Sequence, residues 1–229
     1  MILNDALFIV QWVIIFSFVD DIAGFGFNEC MLLWALSAGG FGVARVFFGG
    51  AWRIKDIVYE GRLDVYLTHP KNVLVNVCCS STEVSAIGDL LYAFIVLFII
   101  GAPWYWFLIL VPAIILVGIL YAAIYVTYVS LCFRIKGGDG VANFVDSSLL
   151  KFGQYPPQIF SFGVKFILLT IIPAIFFTFI PVQYIFLTPN FWWMLGLAAT
   201  AFFWVWLAFV SFNSGLKRYN SGSLMGGRM

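Results

Sequence analysis

Long apolar runs separated by short polar segments dominate the chain. Several runs approach the ~20 residues that a transmembrane helix needs. Runs such as residues 90–101 and 167–180 do not alternate between polar and apolar positions, which favours helices over the strands of a barrel. The pattern predicts an all-α integral membrane protein with six transmembrane helices in a single transmembrane domain, residues 1–229. The expected spans are residues 2–19, 31–52, 84–100, 107–132, 159–180 and 191–212.

The longest polar interruption is residues 53–76, between the second and third expected spans. Gly61 divides its apolar residues into two groups, and Pro70 ends the second group, because the residue before a proline disfavours the helical region. We predict two short amphipathic helices at the membrane surface. The alternative is a solvated loop that only connects two spans. The two apolar groups are Ile54, Ile57 and Val58, then Leu63, Tyr66 and Leu67.

The basic residues predict the topology. Loops after the second, fourth and sixth spans contain all the loop lysines and arginines, and the other loops contain none. Because these residues are retained in the cytosol, we predict a multi-pass plasma-membrane protein with both termini cytosolic. No basic stretch precedes the first apolar run, so we expect no cleavable signal peptide. The loop bases are Arg53, Lys55, Arg62, Lys71, Arg134, Lys136, Lys151, Lys217, Arg218 and Arg228.

Composition agrees with a membrane location. Hydrophobic residues make up 63% of the 229 residues and charged residues only 10%, against roughly 25% charged in soluble domains. The net charge of +1 gives no case for nucleic-acid binding. Cys78 and Cys79 are adjacent, which is not the spacing of a zinc or redox site. We therefore expect no metal.

The sequence lacks the motifs of an enzyme. It has no Gly-x-x-x-x-Gly-Lys-Ser/Thr loop for ATP, and residues 137–140 lack the Lys-Ser/Thr that would follow such a loop. His69 is the only histidine, and no serine lies in Gly-x-Ser-x-Gly. We expect no catalytic residues and no cofactor bound by this chain. An intramembrane enzyme is the least favoured reading.

Arg45, Asp89 and Lys165 are charged residues within the expected spans. A charge at mid-bilayer costs roughly 2.5–3.5 kcal/mol on the insertion scale. All three fall toward the basic ends of their spans, where Arg45 and Lys165 can extend to the interface and Asp89 can pair with either. They either form a polar gate on a substrate path or stabilise the structure, and the structural role is favoured.

Small residues line the middle of the second span. They give one nearly smooth helix face, and such faces let helix backbones approach closely in lipid. We predict close packing on another helix, within the subunit or across a dimer. The small residues are Ala38, Gly39, Gly40, Gly42 and Ala44.

Four elements together resemble the permease subunits of type 2 ABC exporters. Residues 60–72, EGRLDVYLTHPKN, resemble the family's Gly-x-Leu-Asp-x-x-Leu-x-x-Pro-x-Asn signature. Tyr155-Pro156-Pro157 is similar to its Tyr-Pro element, and Pro173 and Pro181 match a proline-punctuated fifth span. Residues 215–222, GLKRYNSG, resemble its C-terminal Gly-Leu-x-x-Tyr-x-Ser element.

The resemblance implies a half-transporter. Two permease copies, identical or different, would form the pathway, and a separate ATPase subunit would bind ATP and Mg²⁺. Residues 53–76 would then carry the coupling helix, with Asp64 capping it and Arg62 and Lys71 facing acidic groups of the ATPase. The contact residues implied are Arg62, Leu63, Asp64, Tyr66, Leu67, His69, Pro70, Lys71 and Asn72.

One departure from the family concerns the start of the chain. Family members usually begin with an amphipathic cytosolic segment, whereas this chain begins almost directly in a span. The departure implies either an N-terminally shortened form or a start that lies inside a longer protein. The main alternative to an exporter subunit is a membrane scaffold or assembly protein that transports nothing, and co-purification with an ATPase would separate the two.

Overall fold

The computed structural model describes residues 2–135, 137–188, 190 and 192–219, without the side chains of residues 2–5 and 185. The expected basic residues Lys136 and Arg228, the first residue of the sixth expected span and motif residues 220–222 lie outside this set. The described part is helical, and its one β feature is an isolated bridge between Ile22 and Phe25. The all-α prediction is confirmed for these residues.

Ten α-helices and two π-helical segments follow one another along the described chain. Long helices alternate with groups of short ones, as the apolar runs and polar interruptions predict. The α-helices are α1 Ile2–Phe16, α2 Phe27–Phe48, α3 Ile54–Tyr59, α4 Leu63–Leu67, α5 Val73–Cys78, α6 Ile87–Ile99, α7 Trp104–Val129, α8 Gly138–Gly153, α9 Phe162–Thr170 and α10 Trp192–Leu216. The π-helical segments are Ile175–Phe179 and Val182–Leu187.

Three continuous helical stretches of the described chain are long and apolar enough to span a membrane: Phe27–Tyr59, Trp104–Phe133 and Trp192–Leu216. The first joins α2 to α3 through the 3₁₀ turn Gly49–Arg53, and the second extends α7 by the 3₁₀ turn Ser130–Phe133. The pair Phe162–Thr170 and Ile175–Tyr184 makes a fourth if its 74° bend lies within one span. The apolar helices Ala6–Phe16 and Val84–Ile99 are shorter. Six spans therefore stay a prediction, whose first and third members would rest on these shorter helices.

Helix α2 is the centre of the bundle. Every residue from Cys30 to Ala44 is buried, and α2 packs along α6 on one side and α7 on the other. Its small residues allow this double contact. A Cβ at position 42 would lie 2.7 Å from the backbone nitrogen of Leu90 in α6, and one at position 40 would collide with Val117 of α7. Both partners of the small-residue face are thus helices of the same chain.

The region after α7 differs from the expectation. The expected spans 107–132 and 159–180 leave residues 133–158 between them, and most of these residues form the helix α8, which packs against α7 and α2. The fifth expected span is not one helix, because α9 ends at Thr170 and the chain resumes as π-helix beyond Pro173. Proline lacks the N–H that would continue the helical ladder, which explains the break. Pro112, in contrast, lies inside the continuous helix α7.

Candidate functional site

Residues 53–78 form three short helices, α3, α4 and α5, rather than the two that the sequence predicted. Within this stretch the chain first turns at Gly61, whose φ of +70° is a conformation that glycine adopts without strain. The N–H of Arg62 then donates to the carbonyl of Ile57 at 2.9 Å, which closes the end of α3. The third helix begins at Asn72, whose side-chain oxygen accepts from the N–H of Leu74 at 3.1 Å. We call residues 52–78, which include Trp52 from the 3₁₀ turn before α3, the three-helix segment.

One face of the three-helix segment belongs to the core of this chain. Ile54, Ile57 and Val58 of α3 are buried, and so are Leu74 and Val77 of α5. These side chains fasten the segment to the bundle, since each buried aliphatic side chain contributes about 1.5–3 kcal/mol. The apolar residues that periodicity singled out in α3 therefore bind the segment to its own chain.

The apolar residues of α4 divide between two faces. Leu63 is 0% exposed and packs inside this chain, and the partner contact that the family resemblance implied for it stays a prediction. Tyr66 is half-buried against the core. Leu67, at 43% exposed, and Val65, at 61%, present apolar surface to the outside. Sequence reasoning missed Val65, because it lies off the apolar face that the motif defines.

Polar and charged residues surround the exposed side of α4. Arg62 forms an ion pair with Glu60 at 2.5 Å. Asp64 lies in the first turn but makes no capping hydrogen bond, so the predicted cap is wrong; the N-cap position is held by Arg62. Asn72, expected as a partner contact, instead caps α5. Of the expected contact residues, the exposed polar or proline ones are Arg62, Asp64, His69, Pro70, Lys71 and Asn72.

A group of polar side chains lies where the three-helix segment meets the bundle. Arg45, at the end of α2, forms an ion pair with Glu83 at 2.8 Å and a longer one with Asp146 of α8 at 3.6 Å. Its guanidinium lies 4.1 Å from the ring centroid of Trp52, a cation–π distance. Asp146 accepts hydrogen bonds from Trp52 Nε1 at 3.1 Å and from the hydroxyl of Tyr121 at 2.7 Å. We call Arg45, Trp52, Glu83, Tyr121 and Asp146 the polar cluster.

Aromatic stacking holds the polar cluster in place. The ring of Trp52 stacks on Tyr125 of α7, with centroids 4.6 Å apart and an angle of 18° between planes. Tyr121 is fully buried and lies 5.2 Å from Phe177 of the first π-helical segment. Because buried polar atoms are costly unless paired, a cluster that pairs both the carboxylate and the indole N–H favours one arrangement of α2, α7 and α8.

The carboxyl of Asp146 is in an electrostatic environment with opposing contributions. Its side chain is only 17% exposed, and burial raises the pKa of this carboxyl above its ordinary value. The Tyr121 hydroxyl, the Arg45 charge and the Trp52 N–H each favour the ionised form and oppose this increase in pKa. Because the net direction is upward, ionising Asp146 costs more in the folded protein than in the unfolded chain.

This raised pKa predicts a pH dependence of stability. A group whose pKa is higher in the folded protein than in the unfolded chain stabilises the fold at pH values below the unfolded pKa. That contribution is lost as pH rises through the folded pKa. We expect the Asp146→Asn variant to lack this pH-dependent contribution. Its melting temperature should therefore approach that of the parent, or exceed it, as pH rises from about 4 to about 7. Thermal melts of purified protein at several pH values measure this. A melting difference that stays constant with pH would contradict it.

A second link joins the three-helix segment to α8. The hydroxyl of Tyr59, at the end of α3, donates to Asp139 Oδ1 at 3.0 Å. Tyr59 follows Trp52 by seven residues, and Asp146 follows Asp139 by seven. None of these four residues belongs to a motif or to an apolar face of the sequence. The two aromatic residues and the two carboxylates share a spacing of seven residues, about two helical turns. This shared spacing is the feature of the sequence that could have identified them.

The three charges within the expected spans have different surroundings. Arg45 forms its ion pairs with Glu83 and Asp146. Asp89 is 4% exposed and lines a cavity of about 290 Å³ with Trp34 and Lys151. Lys165 lies half-buried in α9. The structure does not bring these three charges together.

Comparison with known proteins gives the family. Neither curated proteins nor solved structures provide a match to this chain. The family described as "ABC-2 family transporter protein" matches residues 2–223, which includes every helix described above. This match confirms the resemblance that the motifs predicted, and the chain belongs to the ABC-2 transporter family, the membrane permeases of ABC transporters.

Proposed function

We propose that this permease is a subunit of an ATP-driven exporter, and that it forms the substrate pathway as a dimer coupled to a separate ATPase subunit. The family match supports transport by an ABC system. The direction of transport, the dimerisation and the coupling to an ATPase go beyond the family match and belong to the proposal. The chain itself holds no ATP in this proposal, because its sequence has no P-loop and ATP with Mg²⁺ would bind the ATPase.

The observation that carries the proposal is the exposed side of α4. This helix is fastened to its own chain through Leu63, while Val65 and Leu67 face outward among the charged residues Arg62 and Lys71. Exposed apolar residues with a charged rim are typical of a protein–protein contact. A helix that is fixed on one side and free on the other can receive a push from a partner and pass it to the bundle.

The mechanism follows from this arrangement. ATP-driven closure of two ATPase subunits would displace α4, and the displacement would reorient the spans between inward-facing and outward-facing states, as in domain-closure switches. Arg62 and Lys71 would meet acidic groups of the ATPase, which makes the association sensitive to salt. Six spans, a plasma-membrane location and cytosolic termini complete the proposal.

Co-purification tests the proposal against the scaffold alternative. The tagged permease, extracted in mild detergent from its native host, is expected to retain a P-loop ATPase, and the complex should hydrolyse ATP. Hydrolysis should decrease when a catalytic residue of that ATPase is replaced. A permease that purifies without any ATPase, from membranes where it is correctly inserted, would favour a scaffold.

Thiol accessibility tests the topology, and the structure decides which cysteines to use. Cys30 and Cys78 are buried, so neither can report on a side of the membrane, whereas Cys79 is exposed. In a Cys79→Ser background, Asp20→Cys is expected to react with an impermeant maleimide on intact cells. Cys79 alone is expected to react only after lysis. Reaction of Cys79 before lysis would place the three-helix segment outside the cytosol and refute the proposed topology.

A further inference from the structure

Two aromatic–carboxylate hydrogen bonds join the three-helix segment to α8. Trp52 Nε1 donates to Asp146 Oδ1 at 3.1 Å, and the Tyr59 hydroxyl donates to Asp139 Oδ1 at 3.0 Å. The earlier donor in the chain meets the later acceptor, so the two elements run antiparallel. We call these four residues the aromatic–carboxylate clamp.

The spacing of the clamp decides what it does mechanically. Seven residues of α-helix cover about 10.5 Å along the axis, so the two acceptors on α8 lie well apart on one helix face. A single hydrogen bond would leave the segment free to pivot about it. Two bonds separated by two helical turns prevent both pivoting and sliding of one element along the other.

One end of the clamp is anchored in the bundle. Asp146 belongs to the polar cluster, where Tyr121 donates to it at 2.7 Å and Arg45 lies 3.6 Å away. Arg45 and Asp146 are 19% and 17% exposed, and separating a largely buried pair leaves an uncompensated charge. The other end, at Tyr59 and Asp139, lies next to the turn at Gly61 that leads into α4. Motion of α4 therefore reaches α8 through the Tyr59 end first.

Helix α8 in turn contacts the proline-punctuated region. The hydroxyl of Thr178 donates to the carbonyl of Gly153, the last residue of α8, at 2.6 Å. Thr178 and Phe177 are buried in the first π-helical segment. A π-helical turn breaks the regular hydrogen-bond ladder, and such turns are frequent at functional sites. A continuous set of contacts thus runs from α4 through α3 and α8 to Ile175–Phe179.

We propose that Tyr59, Asp139, Trp52 and Asp146 are positioning residues that make α8 move as one body with the three-helix segment, so that α8 carries the displacement of α4 to the π-helical segment. This inference rests on the proposed function, because the displacing force comes from the ATPase. Its new content is the route: the transmitting element is α8, and the connection is the clamp.

Hydrogen exchange of the permease alone tests the clamp without any ATPase. Tyr59→Phe removes one hydroxyl and keeps the ring, and Asp139→Ala removes its acceptor. In either variant we expect exchange in the first two turns of α8 to become about fivefold faster, since one net hydrogen bond is lost. Tyr105→Phe, which removes a hydroxyl from the first turn of α7, is the matched control and should exchange as the parent does. Equal exchange in all four proteins would refute the clamp.

Spin labels test the transmission in the permease–ATPase complex. In a Cys79→Ser background, one pair joins Asp56→Cys of α3 to Val141→Cys at the start of α8, and a second joins Val141→Cys to Leu108→Cys of α7. On trapping with ATP and vanadate we expect the first distance to change by less than about 2 Å and the second by more, because α3 and the start of α8 would pivot together about the end anchored at Asp146. Adding Tyr59→Phe should make the first distance change as well.

The outcomes separate this inference from the proposed function. If no ATPase co-purifies with the parent, the proposed function fails and the transmission route fails with it. If the complex forms and hydrolyses ATP but the α3–α8 distance changes in the parent, only the inference fails. A first distance that stays constant even with Tyr59→Phe would show that other contacts join the two elements, and would also overturn the role of the clamp.

Discussion

Replacing Gly42 by leucine is expected to prevent the permease from reaching a stable fold. A Cβ at this position would lie 2.7 Å from the Leu90 nitrogen, 3.0 Å from the Leu90 Cα and 3.0 Å from the Ala86 carbonyl oxygen. These are backbone atoms of α6 and its preceding turn, which cannot rotate away. Helices α2 and α6 would have to separate, at a cost of about 1–3 kcal/mol or more for overpacking. We expect little monodisperse protein after detergent extraction and a lower melting temperature.

Gly163→Leu is the matched control for Gly42→Leu. Gly163 lies in the first turns of α9, and nothing would lie within 4 Å of a Cβ there. The same change in size and apolarity should therefore leave the elution profile and melting temperature near those of the parent. If Gly42→Leu behaves like this control, α2 and α6 do not approach as closely as the structure describes.

Replacing Val65 and Leu67 together by aspartate is expected to abolish binding of the ATPase while the permease stays folded. Val65 and Leu67 are 61% and 43% exposed in the isolated subunit, so the change should disturb the fold less than a substitution of the buried Leu63 would. At an interface each would contribute about 1.5–3 kcal/mol. Loss of roughly 3 kcal/mol in total weakens affinity more than 100-fold. Pull-down of the ATPase, with insertion and melting temperature measured in parallel, is the test.

The control for the double aspartate variant is Val84→Asp. Val84 is 73% exposed but lies before α6, outside α4. It should bind the ATPase as the parent does. Tyr66→Ala would be a poorer probe than Val65→Asp, because Tyr66 is half-buried and its loss would affect folding and binding together. Retained binding and hydrolysis in the double variant would show that α4 is not the contact.

The sequence alone predicted the helices and the family. Apolar runs long enough to cross a bilayer predict spans because lipid cannot satisfy backbone polar groups. The motif at residues 60–72 and the small residues around Gly42 also identified the segment between α2 and α6 and the closely packed face of α2. These features are visible in the sequence because each depends on local periodicity or on a single residue type at a fixed position.

Only the tertiary structure decided which partner each residue meets. Leu63 and Val65 are two residues apart in one short helix, yet Leu63 is buried in its own chain and Val65 faces outward. Arg45 pairs with Asp146 because the end of α2 meets the middle of α8 beside Trp52, a contact between residues about a hundred positions apart. Periodicity reports which face of a helix is apolar. It does not report what covers that face, because the covering element comes from a distant part of the chain and its position depends on the packing of the whole bundle.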